Sequence, residues 1–414
     1  MKILYILQEF PFPPNNGIRW KIYNLLNYMA KKHECHIISF GMPNELERAE
    51  DWCSSLPGLK ALDIFPQPFN LKQRINQVWE IIKGNPPSLG RWKSQEFVNA
   101  ICRAFKENSY DVVHLDMINM AQYWSFLQNI PTVLSVNDAI SMRYWRVANT
   151  TNNILKKIAL TFSAKRIDTF EFKIYPKFTS IHVVSEIDAG YLLSKNSNLK
   201  IKVIELSVDP KFLEIPIYKA NNNVFKKDYP IIFTSGTLNN SYMAEPLVDF
   251  IRTGFRQIRI IFPNIQFIIV SRKTPKNIAN FLINEPGIQF FPWVEDYMQT
   301  LKVSDIVIFF DKAGSGIKTR VLQALAGGKA VVGTPIVFEG IKVTNMVNSY
   351  IYKSLGEATN AVLLLLRDQN LRLQLGCSAR DLVQCYYTQE VIGKQWEKVY
   401  RQAIISYATK NSSK

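Results

Sequence analysis

The sequence has no apolar run long enough to cross a bilayer. Its longest strongly apolar stretch is 361–366, against the ~20 residues a spanning helix needs. No small-residue cleavage site follows its start, where the apolar residues 1–7 run into Pro11, Pro13 and Pro14. That argues for a buried first strand and against a signal peptide. Cysteine is scarce. Cys35, Cys53, Cys102, Cys377 and Cys385 are odd in number and form no CxxC pair. This argues against a disulfide framework or zinc site and for a reducing cytoplasm. The four histidines, His33, His36, His114 and His182, make no metal-like spacing with acids or cysteines, and no metal is expected. His114 reads first as a structural histidine and second as a group facing a ligand. No G-x-S-x-G elbow is present, so no Ser-His-Asp nucleophile set can be proposed. RNP, KH and zinc-finger patterns are absent, and nucleic acid is not an expected partner.

What the sequence has is length and positive charge. With 414 residues and a hydrophobic fraction of 47%, it is too long for one ordinary core and suits two domains of roughly 200 residues. Its net charge of +16 asks for an acidic partner. Residues 141–177 carry eight Lys and Arg against only Asp168 and Glu171. The same stretch holds Trp145, Ile154, Leu155, Ile158, Leu160, Phe162 and Phe170. Two readings stand. One is a helix docking on an anionic membrane surface, which would place the protein peripherally on the inner face of the membrane. The other is a solvated face over an ordinary core.

Short apolar runs rich in β-branched residues alternate with helical patterns. They are 3–7, 36–40, 112–115, 132–136, 181–185 and 201–206, then 231–235, 267–270, 289–291, 305–310 and 330–333. Such runs predict parallel sheets covered on both faces. The series occurs twice. The predicted fold is α/β, with two Rossmann-like doubly wound domains facing a cleft. The first spans 1–217, a polar lysine-rich linker 218–229, and the second 230–390. A closing segment, 391–414, is expected to pack back on the first domain. Ile18, Ile22, Leu25, Leu26 and Met29 predict the first helix, with Gly17 at its start after a proline-rich loop. In doubly wound sheets ligands bind at such loops.

The most informative stretch is 305–340, DIVIFFDKAGSGIKTRVLQALAGGKAVVGTPIVFEG. It reads as strand, glycine loop (Gly314-Ser315-Gly316), helix from Lys318 to Ala326, then strand. Glycine lets the backbone approach a ligand closely. The first N–H groups of a helix lack intrahelical partners and carry the positive end of the dipole. Lys318, in the first turn, is poorly placed unless an anion is near. A diphosphate accounts for both features; a glycine turn that merely packs closely is the alternative. GxGxxG fails at Thr319, and the P-loop pattern fails because Ala330 follows Gly328-Lys329.

The segment GSGIKTRVLQALAGGKAVVGTPIVFEGI resembles the donor site of the family 4 (group 1) GT-B glycosyltransferases. KILYILQEFPFPPNNGIRWKIYNLLNYMAKKHECHIISF, IHVVSEIDAGYL and FFPWVEDYMQTLKVSDIVIFF are similar to further parts of that family. The resemblance implies a retaining, metal-independent transfer of a sugar from a nucleotide diphosphate sugar to a hydroxyl acceptor, with no cofactor. A cell-surface polysaccharide or a lipid-linked glycan would supply the acceptor. It further implies that Gly17 borders the donor phosphates and that Gly316, Ile317 and Lys318 hold the diphosphate. Val294, with Trp293, would lie along the base, and Asp138 falls where relatives place polar groups of the catalytic cleft. Asp138 can also be read as the cap of a helix beginning near Ser141. Glu339 would orient the donor, or else be a carboxylate at the start of a helix. Departures from the family are specific. Ser315 and Gln323 stand where two glutamates are common. The family's basic pair after the first strand of the second domain is missing from TSGTLNNSYMAE. Arg272 and Lys273 could compensate, or be a solvated turn. Competing classes are a sugar-nucleotide epimerase, a non-catalytic relative that binds a nucleotide or partner, and a membrane-bound scaffold.

Overall fold

The computed structural model describes residues 1–68, 70–127, 129–151, 153–217, 229–314 and 316–412. The chain divides into two compact units, Met1–Ser207 with Gln389–Lys414, and Val208–Thr388. The expected linker 218–229 lies outside the described residues, apart from Tyr229.

Among the described residues the first unit holds seven strands: β1 (Lys2–Leu7), β2 (Glu34–Gly41), β3 (Leu59–Pro66), β4 (Val112–Asp116), β5 (Thr132–Asn137), β6 (Ser180–Val183) and β7 (Ile201–Val203). Their order is β3-β2-β1-β4-β5-β6-β7, all parallel. Ile3, Tyr5 and Leu7 join the core on one face of the sheet; Leu4 and Ile6 join the core on the other. Burial on both faces is why β1 reads as an unbroken apolar run. The chain winds outward in both directions from β1 and β4, so the ligand crevice of such a sheet lies outside their carboxyl ends.

The helix Gly17–Met29 follows β1. Asn16 caps it, its side chain accepting from the Arg19 N–H at 3.0 Å. Ile22, Leu25, Leu26 and Met29 are buried and Ile18 half-buried. The same helix also buries Lys21 and Asn24. The last helix, Gln389–Ser412, adds Trp396 and Tyr400 to this unit's core. The Trp396 ring lies 4.3 Å from that of His182 and 5.1 Å from that of His114. The Tyr400 hydroxyl is 2.8 Å from Nδ1 of His114, which is wholly buried. His114 is therefore a structural histidine, the first of its two readings.

The second unit holds β8 (Ile231–Gly236), β9 (Gln266–Ser271), β10 (Ile288–Phe291), β11 (Ile306–Phe309), β12 (Ala330–Gly333) and β13 (Tyr350–Ile351), in the order β10-β9-β8-β11-β12-β13. Its switch point falls between β8 and β11. Two strands were not anticipated. β3 is a half-buried edge strand carrying Lys60 and Asp63, and β13 is two residues long. Neither makes an apolar run. Among the described residues no helix is long and apolar enough to cross a membrane.

Candidate functional site

In the second unit, the predicted donor residues all follow carboxyl ends of parallel strands. Arg272 and Lys273 follow β9, Trp293 and Val294 follow β10, the glycine loop follows β11, and Glu339 lies beyond β12. Arg272 and Lys273 are exposed, Lys273 at φ 55°. Trp293 is 55% exposed and Val294 half-buried. Ser315 lies outside the described residues.

The loop's path depends on glycine. Gly314 has φ 140° and Gly316 φ 63°, values that a residue with a Cβ rarely adopts. The helix Thr319–Ala326 follows, with Val321, Leu322, Ala324 and Leu325 buried. Lys318 stands at the N-cap, one step before the expected first turn. Its backbone carbonyl accepts from the Val321 N–H at 2.9 Å. Its Nζ donates to the carbonyl of Gly316 at 2.9 Å, and the residue is only 8% exposed. The ammonium is thus folded into the loop that Gly316 and the buried Ile317 form. Gln323, half-buried, sits one turn further along the helix. Glu339 lies in a turn that no helix follows, which corrects its reading as a carboxylate at the start of a helix.

An ion pair fixes this helix start, and the sequence reading missed it. Asp311, just beyond β11 and 4% exposed, accepts from the Arg320 guanidinium at 2.5 Å. Burial works against the charge of Arg320, but Asp311 outweighs it and raises the guanidinium's pKa. The Thr334 hydroxyl donates to the Asp311 carbonyl at 2.6 Å, tying in the exit of β12. The available signal was an acid directly after an apolar strand, with an arginine in the next helix's first turn.

In the first unit, Gly17 opens the helix after β1 and is exposed, and Asp138 follows β5. The helix Ile140–Thr150 has Ala139 at its N-cap with no side-chain cap. Asp138 therefore does not cap it, which corrects that alternative. Asp138 lies 3.5 Å from Arg143. The residue before it, Asn137, has φ 68°.

Beneath Asn137 lies a buried polar network that the sequence reading also missed. The Lys21 ammonium donates to the Asp116 carboxylate, the Ser135 hydroxyl and the Asn137 side-chain carbonyl. Three donors meet three acceptors. Ser135 in turn lies 2.9 Å from Nδ1 of His182, whose Nε2 is 2.9 Å from the Ile204 carbonyl. A carbonyl only accepts, so Nε2 carries the proton and Nδ1 accepts from Ser135. Burial holds His182 well below its ordinary pKa, consistent with that neutral ring. Burial opposes the charge of Asp116, but Lys21 and His114 hold its pKa below the ordinary carboxylate value. The network braces the left-handed Asn137 and so sets the backbone direction at Asp138. The signal was Lys21 itself, one turn before Leu25 on the helix's apolar face.

Residues 15–212 match the family described as Glycosyltransferase Family 4, and residues 230–368 match Glycosyl transferases group 1. An uncharacterised glycosyltransferase of Methanocaldococcus jannaschii is 28% identical over 133 residues, 31% of this chain and 33% of that protein. The alignment thus spans about a third of that relative's length. Among solved structures, sucrose-phosphate synthase of Thermosynechococcus elongatus has a TM-score of 0.71 at 15% identity, covering 98% of this chain and 100% of that one. HepE of Anabaena, solved with UDP, has a TM-score of 0.64 at 14% identity, covering 96% and 99%. With both halves matched in order and the two parallel sheets of the GT-B fold, the chain belongs to the family 4, group 1 glycosyltransferases.

Proposed function

We propose that the protein transfers a sugar from a nucleotide diphosphate sugar to a hydroxyl acceptor, with retention and without a metal. The observation carrying this is the positive-φ glycine loop that feeds the helix Thr319–Ala326 at the switch point of the second sheet. Such a loop offers N–H groups and a helix dipole to a diphosphate. Lys318 adds a full charge within the loop and stabilises the negative charge that grows on the leaving diphosphate. Gly316, Ile317 and Gln323 hold the donor; Val294 borders the base; Arg272 and Lys273 supply the missing basic pair. Glu339 orients the sugar or ribose. Gly17 and Asp138 serve from the first unit. HepE, solved with UDP, makes UDP-sugars the first donors to try. The reading extends to a lipid-linked or polysaccharide acceptor and to a peripheral seat on an anionic membrane through 141–177.

The test is thermal stability against UDP-, GDP-, ADP- and CDP-sugars. A ligand at ~100 times its Kd stabilises the fold by about 2.7 kcal/mol. Stabilisation by one nucleotide class, with transfer to a hydroxyl acceptor, supports the reading; no response to any of them overturns it. Conversion of the nucleotide sugar with no acceptor present identifies an epimerase instead. In Lys318→Ala, turnover falls by about 10²–10³; normal turnover removes Lys318 from the mechanism.

A further inference from the structure

The helix Leu71–Ile82 is inside out. Leu71, Ile75, Val78, Trp79 and Ile82 fall at i, i+4, i+7, i+8 and i+11, one face of a helix. All five are exposed, from 51% at Ile75 to 72% at Leu71. The residues this helix buries are Gln73 and Glu80. The inward face makes polar contacts. Gln73 donates to the Lys93 carbonyl at 3.2 Å, and Glu80 accepts from Lys93 and from Asn85 at 2.7 Å each. Gly90 lets the next helix, Pro87–Arg91, approach backbone to backbone, since a Cβ there would stand 2.4 Å from the carbonyl carbon of Asn76. The apolar stripe is therefore left unpartnered by construction.

A second element continues it. In the helix Ile154–Ile174, Ile154, Leu155, Ile158 and Phe162 are 56–80% exposed and share one face. Arg166, one turn on, covers the Phe162 ring at 4.0 Å and donates to the Ile81 carbonyl at 3.1 Å. That bond joins the two stripes at the end of the first helix. The charges around them have one sign. The exposed charged residues on these helices are Lys72, Arg74, Lys156, Lys157, Lys165 and Lys173. The acids turn inward: Glu80 and Glu171 are buried, and Asp168 accepts from Trp145 at 3.0 Å and Tyr191 at 3.2 Å.

We infer that these two helices form one docking face for an anionic lipid bilayer, with Trp79, Ile82, Leu155 and Phe162 entering the interface and the six basic residues meeting headgroups. A protein partner of the same chain would have to bury six like charges against themselves, whereas an anionic surface complements both the charge and the apolar stripes. This narrows the peripheral seat from 141–177 to the later of its two helices and adds Leu71–Ile82. It rests on the peripheral part of the proposed function and not on the transfer reaction.

The experiment is sedimentation of the full chain with phosphatidylcholine vesicles, with and without about one-third phosphatidylglycerol, at low and high salt. The wild type binds the anionic vesicles, leaves the neutral ones and is weakened by salt. Val78→Asp with Leu155→Asp changes only exposed positions, and it lowers binding at least roughly tenfold with unchanged thermal stability. Absence of wild-type binding at low salt overturns the inference and the peripheral seat together. Equal binding by the variant overturns the docking face alone. Equal binding to neutral vesicles overturns the charge argument. A wild-type dimer in light scattering that the variant abolishes assigns the face to a second copy and overturns the inference as well.

Discussion

Glu171 lies in the helix that carries the basic face, and it is turned into the protein. It is 3% exposed and accepts from the Ser141 hydroxyl at 2.5 Å, the Ser141 N–H at 3.4 Å and the Tyr175 hydroxyl at 3.2 Å. Burial pushes its pKa from the ordinary 4.5 up to about 7, more than those hydrogen bonds lower it. The folded state therefore binds a proton more tightly than the unfolded chain. Between pH 4.5 and about 7 this site holds more protons in the native protein than in the unfolded chain, so its contribution to stability is greatest below pH 4.5, falls as pH rises and levels off above about 7. At ~1.4 kcal/mol per pKa unit, the loss from this group between pH 5 and 8 is about 2–3 kcal/mol. Glu171→Gln removes the titration. Its carbonyl can still accept the Tyr175 hydroxyl and the Ser141 N–H, and the Ser141 hydroxyl can turn to accept from the new amide. Urea unfolding of both proteins at pH 5, 6, 7 and 8 reads the difference. The variant gains about 2–3 kcal/mol on wild type across that range. A gap that stays constant with pH refutes the reasoning, because it would mean that Glu171 is already ionised at no penalty in the fold.

Two further predictions concern the candidate site. Lys21→Met leaves the buried Asp116 without its cation, so unfolding free energy falls by about 3–5 kcal/mol at neutral pH; a loss below ~1 kcal/mol in urea unfolding would show that the network is not ionic. Gln323→Glu restores an acceptor able to make a charge-assisted bond to a ribose hydroxyl, and nucleotide binding measured by calorimetry tightens by roughly 1 kcal/mol, about fivefold; unchanged or weaker binding takes position 323 away from the ribose.

Much of the fold was legible because doubly buried strands announce themselves locally. Runs such as 3–7 and 330–333 need no distant partner to be recognised, and the repetition of the series fixed the count of two sheets. The half-buried β3 and the two-residue β13 leave no such mark. The glycine loop was legible for the same reason, since Gly314, Gly316 and Lys318 are neighbours in sequence. What stayed hidden is polar and long-range. Lys21 meets Asp116 and Asn137 across 95 and 116 residues, and nothing near any of them marks the others as partners. Even at the loop, the sequence showed a lysine but not that its ammonium would fold back onto Gly316.

The helix Leu71–Ile82 shows the deeper limit. A stripe of apolar residues at helical spacing establishes a helix and an apolar face; it does not establish which way the face turns. The usual inference, that the stripe faces the core, rests on the hydrophobic gain of burying it. That gain is available only if a matching apolar surface exists and the opposite face can be left in water. Here the opposite face carries Gln73 and Glu80, which bond to Lys93 and Asn85, and Gly90 brings a neighbouring backbone too close to Asn76 for apolar side chains to intervene. The polar contacts set the helix's rotation, and the apolar stripe follows outward. An apolar stripe turned out by polar contacts on the opposite face, and surrounded by charge of one sign, is the pattern of an interface waiting for its complement.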